Sequence, residues 1–346
     1  MGNLKFGTNS PLALYMGVSG ATKAYYGTTE VFSGGGTDYS KEYLTLEVLT
    51  GGTVQFTKTS GGPACTIYCS INNDPWVELS STGSSFNVVA NDIVRLKGTN
   101  STYSTGNNNY CKLYGASATF NLSGNIMSLI YGDNFTGQTA FTTGFTFNSF
   151  FFDNTNAVRS VENLVLPATA LQEKCYRYMF ANCSKMTKAP KILPAKAITG
   201  QYVYERMFSN CTSLTTAPEL PATEIQKFCY DQMFYGCSSL TTAPELPALT
   251  LKDYCYRSMF NGCTSLTTAP ELPATTLVSF CYQQMFEGCT SLNYVKCLAT
   301  KITATYCINN WLENVAATGT FEKAPNMSSW TSGASGIPDG WTVVDA

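Results

Sequence analysis

Histidine is absent from this 346-residue chain. Without it no Ser-His or Cys-His catalytic pair can form, and a zinc site has lost its commonest nitrogen ligand. The sequence also lacks a nucleophile elbow, a Walker A loop and a dinucleotide-binding fingerprint. A carboxylate pair for glycoside hydrolysis, Asp133 with Asp153 or Glu162, is the remaining option, but their spacing does not distinguish them from ordinary loop acids. We therefore expect a non-enzymatic protein without cofactor or metal.

Charge and long apolar runs are also scarce. Charged residues make up 13% of the chain and the net charge is −2, with no segment rich in lysine or arginine. This composition predicts no nucleic-acid partner. No run approaches the 18 or so apolar residues that cross a bilayer, so we expect no membrane insertion. The opening MGNLKFGTNSPLALYMG lacks the pattern of a secretory signal, which predicts export by a route other than standard secretion.

A repeated phrase of about 26 residues fills the middle of the chain. It is clearest in CYDQMFYGCSSLTTAPELPALTLKDY and in CYRSMFNGCTSLTTAPELPATTLVSF, which begin at Cys229 and Cys255. Cys183, Cys211, Cys237, Cys263 and Cys289 mark its phase. Decayed copies at either end place Thr155 and Val315 in the same position. The pattern predicts about seven stacked units over residues 145–315.

Each unit shows apolar residues four apart, at Leu277, Cys281 and Met285 in one copy. This stripe predicts a short amphipathic helix in every unit. The residue after each predicted helix is always asparagine or glycine, the residues that tolerate a left-handed conformation at a helix end. We therefore predict helix caps, and a positive φ at Gly262 in particular. The cap positions are Asn154, Asn182, Asn210, Gly236, Gly262, Gly288 and Asn314.

The Leu-Thr-Thr-Ala segments that follow, such as 214–217, predict one short strand per unit, ended by proline. The phrase F-x-G-C-x-S-L followed by a strand, L-P and a helix resembles the BspA-type leucine-rich repeats of surface proteins of gut Bacteroidales and their phages. The expected fold is an α/β leucine-rich-repeat solenoid of about seven units of about 26 residues. It would follow an all-β sandwich-like domain and a small N-terminal β module.

The rest of the chain divides by composition. Residues 1–32 contain short apolar runs between glycines, which predict small β-hairpins. Their phrase LYMGVSGATKAYYGTTEVF resembles an N-terminal module of phage structural proteins, especially those of tails. Residues 33–38 form a Gly-rich linker. Alternating runs in 39–144, such as Leu44-Leu46-Val48, predict a β-sandwich-like domain. Residues 316–346, with Trp330 and Trp341, predict a C-terminal cap.

The cysteines and aromatic residues of the repeats occupy fixed positions. Fourteen cysteines are present. We interpret those of the repeats mainly as buried thiols stacked in register, with oxidised pairs as the alternative. Tyrosine follows the first cysteine position (Tyr176, Tyr204, Tyr230, Tyr256 and Tyr282), and phenylalanine ends the predicted helix. These rows are expected in the core, with tyrosine hydroxyls reaching its edge; the alternative is a row that stacks sugars.

Candidate binding residues are those that form a row or vary between copies. Glu219, Glu245 and Glu271 share one position and predict a solvated acidic row, or alternatively a site for a cation or a basic or hydroxyl-rich ligand. Lys252, Arg257, Gln283 and Gln284 vary between copies and should face outward.

The resemblances imply a phage virion protein of the tail that binds other virion proteins and a host surface protein or glycan. A bacterial cell-surface adhesin is the alternative, and homo-oligomerisation stays open.

Overall fold

The computed structural model describes the backbone of residues 23–26 and 29–33, and residues 37–325 and 327–346 with their side chains. Contacts between Cα atoms divide the chain into two units, Met1–Asp38 and Tyr39–Ala346. In the first unit β1 (Lys23–Tyr26) pairs antiparallel with β2 (Thr29–Ser33). This hairpin lies in the part of residues 1–32 for which hairpins were predicted, whereas the predicted hairpin region before residue 23 lies outside the described residues.

The second unit opens with two sheets that share one hydrophobic core. A six-stranded sheet has the order β12-β11-β3-β8-β5-β6, and a four-stranded sheet the order β7-β4-β10-β9. The strands are β3 (Leu44–Thr50), β4 (Gly52–Lys58), β5 (Thr66–Ile71), β6 (Val77–Ser80), β7 (Thr82–Val88), β8 (Ile93–Gly98), β9 (Ser104–Gly106), β10 (Asn109–Gly115), β11 (Thr119–Asn125) and β12 (Asn163–Val165).

The alternating runs seen in the sequence lie in these strands, because alternate side chains of a strand point to one face. In β3, for example, Leu44, Leu46 and Val48 are buried. A short helix, α1 (Ser128–Tyr131), follows β11 and leads to the repeats. One 3-10 turn, Tyr39–Lys41, precedes β3, and another, Gly132–Asn134, follows α1.

The predicted α/β leucine-rich-repeat solenoid is wrong. In the described part of the chain α1, with four residues, is the single α-helix, and it lies before the repeats. Where a helix was expected in each copy, a positive φ recurs at every fourth residue, as at Tyr254 (61°), Ser258 (49°) and Gly262 (74°). A right-handed helix needs negative φ throughout, so this alternation excludes it.

The backbone hydrogen bonds of these segments show what replaces the helix. Tyr176, Tyr178 and Phe180 donate their N–H groups to carbonyls of the following copy, at 3.1, 3.0 and 2.9 Å. The residues between them donate three residues back within their own copy, as Met179 does to Tyr176 at 3.2 Å. Each copy is therefore a ribbon of turns that is bonded edge to edge to its neighbour. Seven such ribbons follow one another, from Phe145–Asp153 to Tyr306–Asn314.

The predicted strand of each copy is reduced to single-residue parallel bridges, such as Lys188 to Thr216 and Thr216 to Thr242. Longer pairing returns at the end of the stack, where β13 (Tyr294–Cys297), β14 (Thr320–Lys323) and β15 (Thr342–Asp345) form a parallel sheet. Trp330 stacks on the buried Trp311 there, with ring centroids 5.5 Å apart.

The first ribbon is bonded directly to the four-stranded sheet. Leu113 of β10 donates its N–H to the Phe150 carbonyl at 3.0 Å and accepts from the Asn154 amide at 3.0 Å. Asn154 thus occupies the row that the cysteines fill in later copies. The prediction that Thr155 occupies this row is wrong. The register of this decayed copy is one residue earlier than the sequence indicated.

Candidate binding surface

The ribbon geometry places one column of aromatic side chains along the stack. The column consists of Tyr202, Phe228, Tyr254, Phe280 and Tyr306. Successive rings from Tyr202 to Phe280 stack with centroids 4.4 to 4.5 Å apart. These side chains are half-buried or, at Tyr306, 58% exposed. Because ring faces are used within the column, it presents mainly ring edges to solvent.

Sequence reasoning missed this aromatic column, although a signal was present. Each of its members immediately precedes the first cysteine position, or Val203 in its place. The tyrosine and phenylalanine rows lie in the core, as expected: Tyr176, Tyr204 and their counterparts are at most 2% exposed, and the phenylalanine row is fully buried, which leaves no ring face for the alternative of sugar stacking. The hydroxyls of Tyr176, Tyr204 and Tyr256 are buried without a hydrogen-bond partner, so the expectation that they reach the edge is wrong.

A polar column runs beside the aromatic column. It consists of Arg177, Glu205, Asp231, Arg257, Gln283 and Asn309. Neighbouring members bond in pairs: Arg177 to Glu205 at 2.5 and 3.2 Å, and Arg257 to Asp231 at 2.9 and 2.6 Å. The Arg257 guanidinium also lies 5.1 Å above the Tyr254 ring, which ties the two columns together.

Burial dominates the electrostatics of this column. The Asp231 side chain is 1% exposed, and desolvation raises the pKa of its carboxyl even though the Arg257 hydrogen bonds oppose the shift. Arg257 therefore compensates a buried charge, which is a different role from the freely outward-facing one predicted for it. Gln283 bonds Asn309 at 3.4 Å, and Gln284 and Lys252 are half-buried.

A third column also varies in side-chain type while it keeps one backbone conformation. Its members are Tyr178, Arg206, Gln232, Ser258, Gln284 and Asn310, which all have φ between 49° and 55°. We call it the variable column. Hydroxyl, guanidinium, amide and phenol groups thus occupy equivalent places on consecutive ribbons.

The predicted glutamate row lies elsewhere on the repeats. Glu219, Glu245 and Glu271 are exposed, and the first two line a surface cleft of about 700 Å³ together with proline and threonine residues. Lys296 forms an ion pair with Glu271 at 3.3 Å, so the carboxylate at this end of the row is already paired. Glu219 and Glu245 form no ion pair with any described residue. No group of three or more metal-ligating side chains occurs in the described ranges.

The predicted cap positions have the expected backbone but a different role. Gly262 has φ 74°, and φ is also positive at the other cap positions from residue 182 to 314. There is no helix for them to cap, so the assignment as helix caps is wrong; each ends a ribbon of turns. At the first position Asp153 has the positive φ (61°), and Asn154 instead bonds the sheet.

The cysteines are structural. All fourteen are buried. In five successive copies the thiol donates to the carbonyl of a phenylalanine in the preceding copy, as Cys211 does to Phe180 and Cys263 to Phe234, at 3.1 and 3.2 Å. Burial raises the pKa of Cys229 and Cys237 to about 12. These thiols are therefore neutral near pH 7.

The carboxylates considered for catalysis have ion-pair partners. Asp133 lies 2.8 Å from Lys97, and hydrogen bonds from Lys97 and Tyr43 lower the pKa of its carboxyl. Asp153 lies 3.9 Å from Lys112, and Glu162 2.8 Å from Lys188. A general acid in glycoside hydrolysis needs a raised pKa, so Asp133 is poorly suited to that role.

None of the helices in the described residues is long and apolar enough to span a bilayer. Comparison with protein-family models, with curated proteins and with solved structures found no match.

Proposed function

We propose that this chain is a non-enzymatic bacteriophage virion protein, associated with the tail, whose repeats bind a host surface protein or glycan. The observation that carries the binding role is the variable column. Its side chains change from copy to copy, whereas its φ angles and the rows of buried phenylalanine, tyrosine and cysteine beneath it are repeated. A scaffold of this kind lets surface chemistry change without loss of the fold.

The absence of histidine and the ion pairing of the candidate acids support a binding role over catalysis. The virion location rests on the resemblance of the N-terminal phrase to phage tail modules. A division of the chain into two units after Asp38 suits an N-terminal attachment module. Other virion proteins would be its partners.

Location is tested by mass spectrometry of purified phage particles and of host outer-membrane fractions. We expect the chain in the particles. Its presence only in host membranes would contradict the virion proposal and favour a bacterial adhesin. Deletion of residues 1–32 should leave a folded, soluble remainder that no longer joins the particle, and normal incorporation of the truncated chain would contradict the attachment role.

Binding is tested on the variable column itself. The triple variant Arg206→Ala, Gln232→Ala, Gln284→Ala should weaken adsorption of the purified chain to host cells. A matched control is Glu219→Gln with Glu245→Gln, which changes exposed residues elsewhere on the same repeats. Equal adsorption by both variants and the wild type would contradict the assignment of this surface.

A further inference from the structure

A pocket of about 360 Å³ lies where the sheet region meets the first two ribbons. The turn between β9 and β10 contributes Asn107 and Asn108, and β10 contributes Tyr110. The ribbons contribute Ser149, Phe152, Arg177 and Tyr178. This volume is at the lower end of the range of small-molecule sites, about 300 to 1,000 Å³.

We propose that this pocket binds an uncharged saccharide unit. The inference rests on the proposed function and deepens it, since it names the ligand class at one end of the repeated face. The chemistry of the lining is the first argument. Every lining residue carries an amide, a hydroxyl, a guanidinium or an aromatic ring, and none carries an aliphatic side chain or a carboxylate. Such a lining suits neither a lipid chain nor a cation.

The amides favour a polyhydroxylated ligand. Asn107 and Asn108 are exposed at the rim, and each amide offers both donors and an acceptor. A sugar hydroxyl also donates and accepts. One amide can therefore donate a hydrogen bond to one hydroxyl and accept a hydrogen bond from its neighbour. A ligand that only donates or only accepts hydrogen bonds would leave either the amide N–H groups or the amide oxygens unpaired.

The arginine in the pocket does not demand an anion. Glu205 neutralises Arg177 by bonding its Nε and Nη2 atoms, and both side chains are largely buried, at 14% and 10% exposure. The Nη1 atom lies 3.5 Å from the Asn107 Oδ1 atom, which is the outer limit of a hydrogen bond. Nη1 can therefore donate to a hydroxyl without a net charge on the ligand.

The rings form a rigid wall for the apolar C–H groups of a pyranose. Phe152 packs edge to face against both Tyr110 and Tyr178, with centroids 6.2 Å apart in each case. Tyr178 is held by Arg177, whose guanidinium lies 4.4 Å from the ring centroid, and by Arg206, which donates to its hydroxyl at 2.7 Å. A wall that is fixed before binding loses little conformational entropy when the ligand arrives.

The test uses saturation-transfer NMR on the purified full chain. The probes are the methyl glycosides of glucose, galactose, mannose, N-acetylglucosamine and N-acetylgalactosamine, with N-acetylneuraminic acid as the acidic arm. We expect transfer to at least one neutral glycoside. The double variant Asn107→Ala, Asn108→Ala and the single variant Phe152→Leu should each weaken that binding by about tenfold or more. Asn293→Ala, at an exposed asparagine far along the repeats, is the matched control.

Thermal unfolding of each variant establishes that the fold is intact. The proposal is overturned if no neutral glycoside shows transfer, if the double variant and Asn293→Ala bind equally well, or if N-acetylneuraminic acid binds better than every neutral glycoside. Particle mass spectrometry reports location without any sugar. Failure of the sugar site and failure of the virion proposal are therefore distinguishable.

Discussion

The sheets of residues 44–125 and the ribbons of residues 145–314 satisfy the same backbone groups in different ways. In the sheets a residue such as Leu46 lies between two antiparallel partners, Val94 and Leu122. In the ribbons alternate N–H groups bond the next copy, and those between them bond their own turn. The difference shows that parallel stacking of identical turns can replace a strand ladder when φ can be positive at every fourth residue.

The side chains of the sheets and those of the ribbons also pack differently. In the sheets unlike residues pack from facing strands, whereas in the ribbons like packs on like: Phe208 stacks between Phe180 and Phe234 at 5.8 and 5.7 Å. A repeated sequence places identical shapes at equal intervals, so each ribbon needs only its two neighbours. Disturbance should therefore remain more local in the ribbons than in the sheets.

Alkaline pH should produce the largest difference between the two regions. Folding raises the pKa of a buried thiol from its unfolded value of about 8.5. The stability that this thiol contributes is fully present below pH 8.5 and is lost as the pH rises towards the folded pKa. For Cys229 and Cys237 the folded pKa is about 12. Each tenfold change in proton affinity corresponds to about 1.4 kcal/mol, so several such thiols can offset the whole stability of a domain.

Eleven of the fourteen cysteines lie beyond residue 144, and three lie in the sheets. We expect the ribbons to open first. Brief alkylation with iodoacetamide at increasing pH, read by peptide mass spectrometry, should modify Cys229 and Cys237 at a lower pH than Cys69 of β5. Simultaneous modification of all three would show that the two regions unfold as one.

Truncation of one buried phenylalanine in each region should have the next largest effect. Phe56 and Phe260 are both fully buried, and their loss should cost about 3 to 5 kcal/mol each. Phe260 contacts the rings of its two neighbouring ribbons, at 5.6 Å each, whereas Phe56 touches Tyr103 and Phe150 across the junction.

Hydrogen exchange should therefore rise near the adjoining ribbons in Phe260→Ala, and in both the sheets and the first ribbon in Phe56→Ala. An equally wide loss of protection in the two variants would refute the contrast between local and spread contacts.

A smaller effect is expected at the left-handed positions. Gly262 has φ 74°, and an added Cβ would meet its nearest neighbour, the Gly236 Cα, at an ordinary 3.6 Å. The cost of Gly262→Val is therefore backbone strain, about 1 to 2 kcal/mol or more for a β-branched residue. Gly262→Asn should be mild because asparagine tolerates this conformation, as Asn210 does in an earlier copy.

Chemical denaturation of both variants measures the difference, and hydrogen exchange locates it in the adjoining ribbons. If Gly262→Val is as stable as Gly262→Asn, positive φ is not what restricts these positions to glycine and asparagine.

The smallest effect should come from surface ion pairs. Lys188 and Glu162 pair at 2.8 Å between the segments that follow the first two ribbons, but both are about half exposed. Lys97 pairs with Asp133 and also lies 4.4 Å above the Trp76 ring in the sheets. Lys97→Met should cost on the order of 1 kcal/mol, whereas Lys188→Met should be within experimental error in the same denaturation assay. A larger loss at Lys188 would reverse the comparison.

The repeat phase and the left-handed positions were visible in the sequence because they depend on local chemistry. Identical residues at equal intervals predict stacking, and glycine or asparagine at one place predicts positive φ. The secondary structure was misjudged because a spacing of four resembles a helical period. A strict spacing of four, from Leu277 to Cys289, drifts by about 40° per step around an α-helix. That drift was the available signal against a helix.

The binding pocket was beyond sequence reasoning for another reason. Asn107 and Tyr178 are 71 positions apart and meet only because β10 bonds the first ribbon. Asn154 was likewise assigned to the wrong register, because the first two steps between copies are 29 and 28 residues whereas the later steps are 26.

The sequence by itself determined which residues recur, which apolar rows are buried and where the backbone must be left-handed, since periodicity, apolarity and glycine or asparagine are properties of the chain. Only the tertiary structure decided that the ribbons are not helices and that their columns align. A hydrogen bond such as that from Phe260 to Met285 joins neighbouring copies, and no single copy contains it. The fold of each repeat is therefore settled by its neighbour, which a lone segment cannot supply.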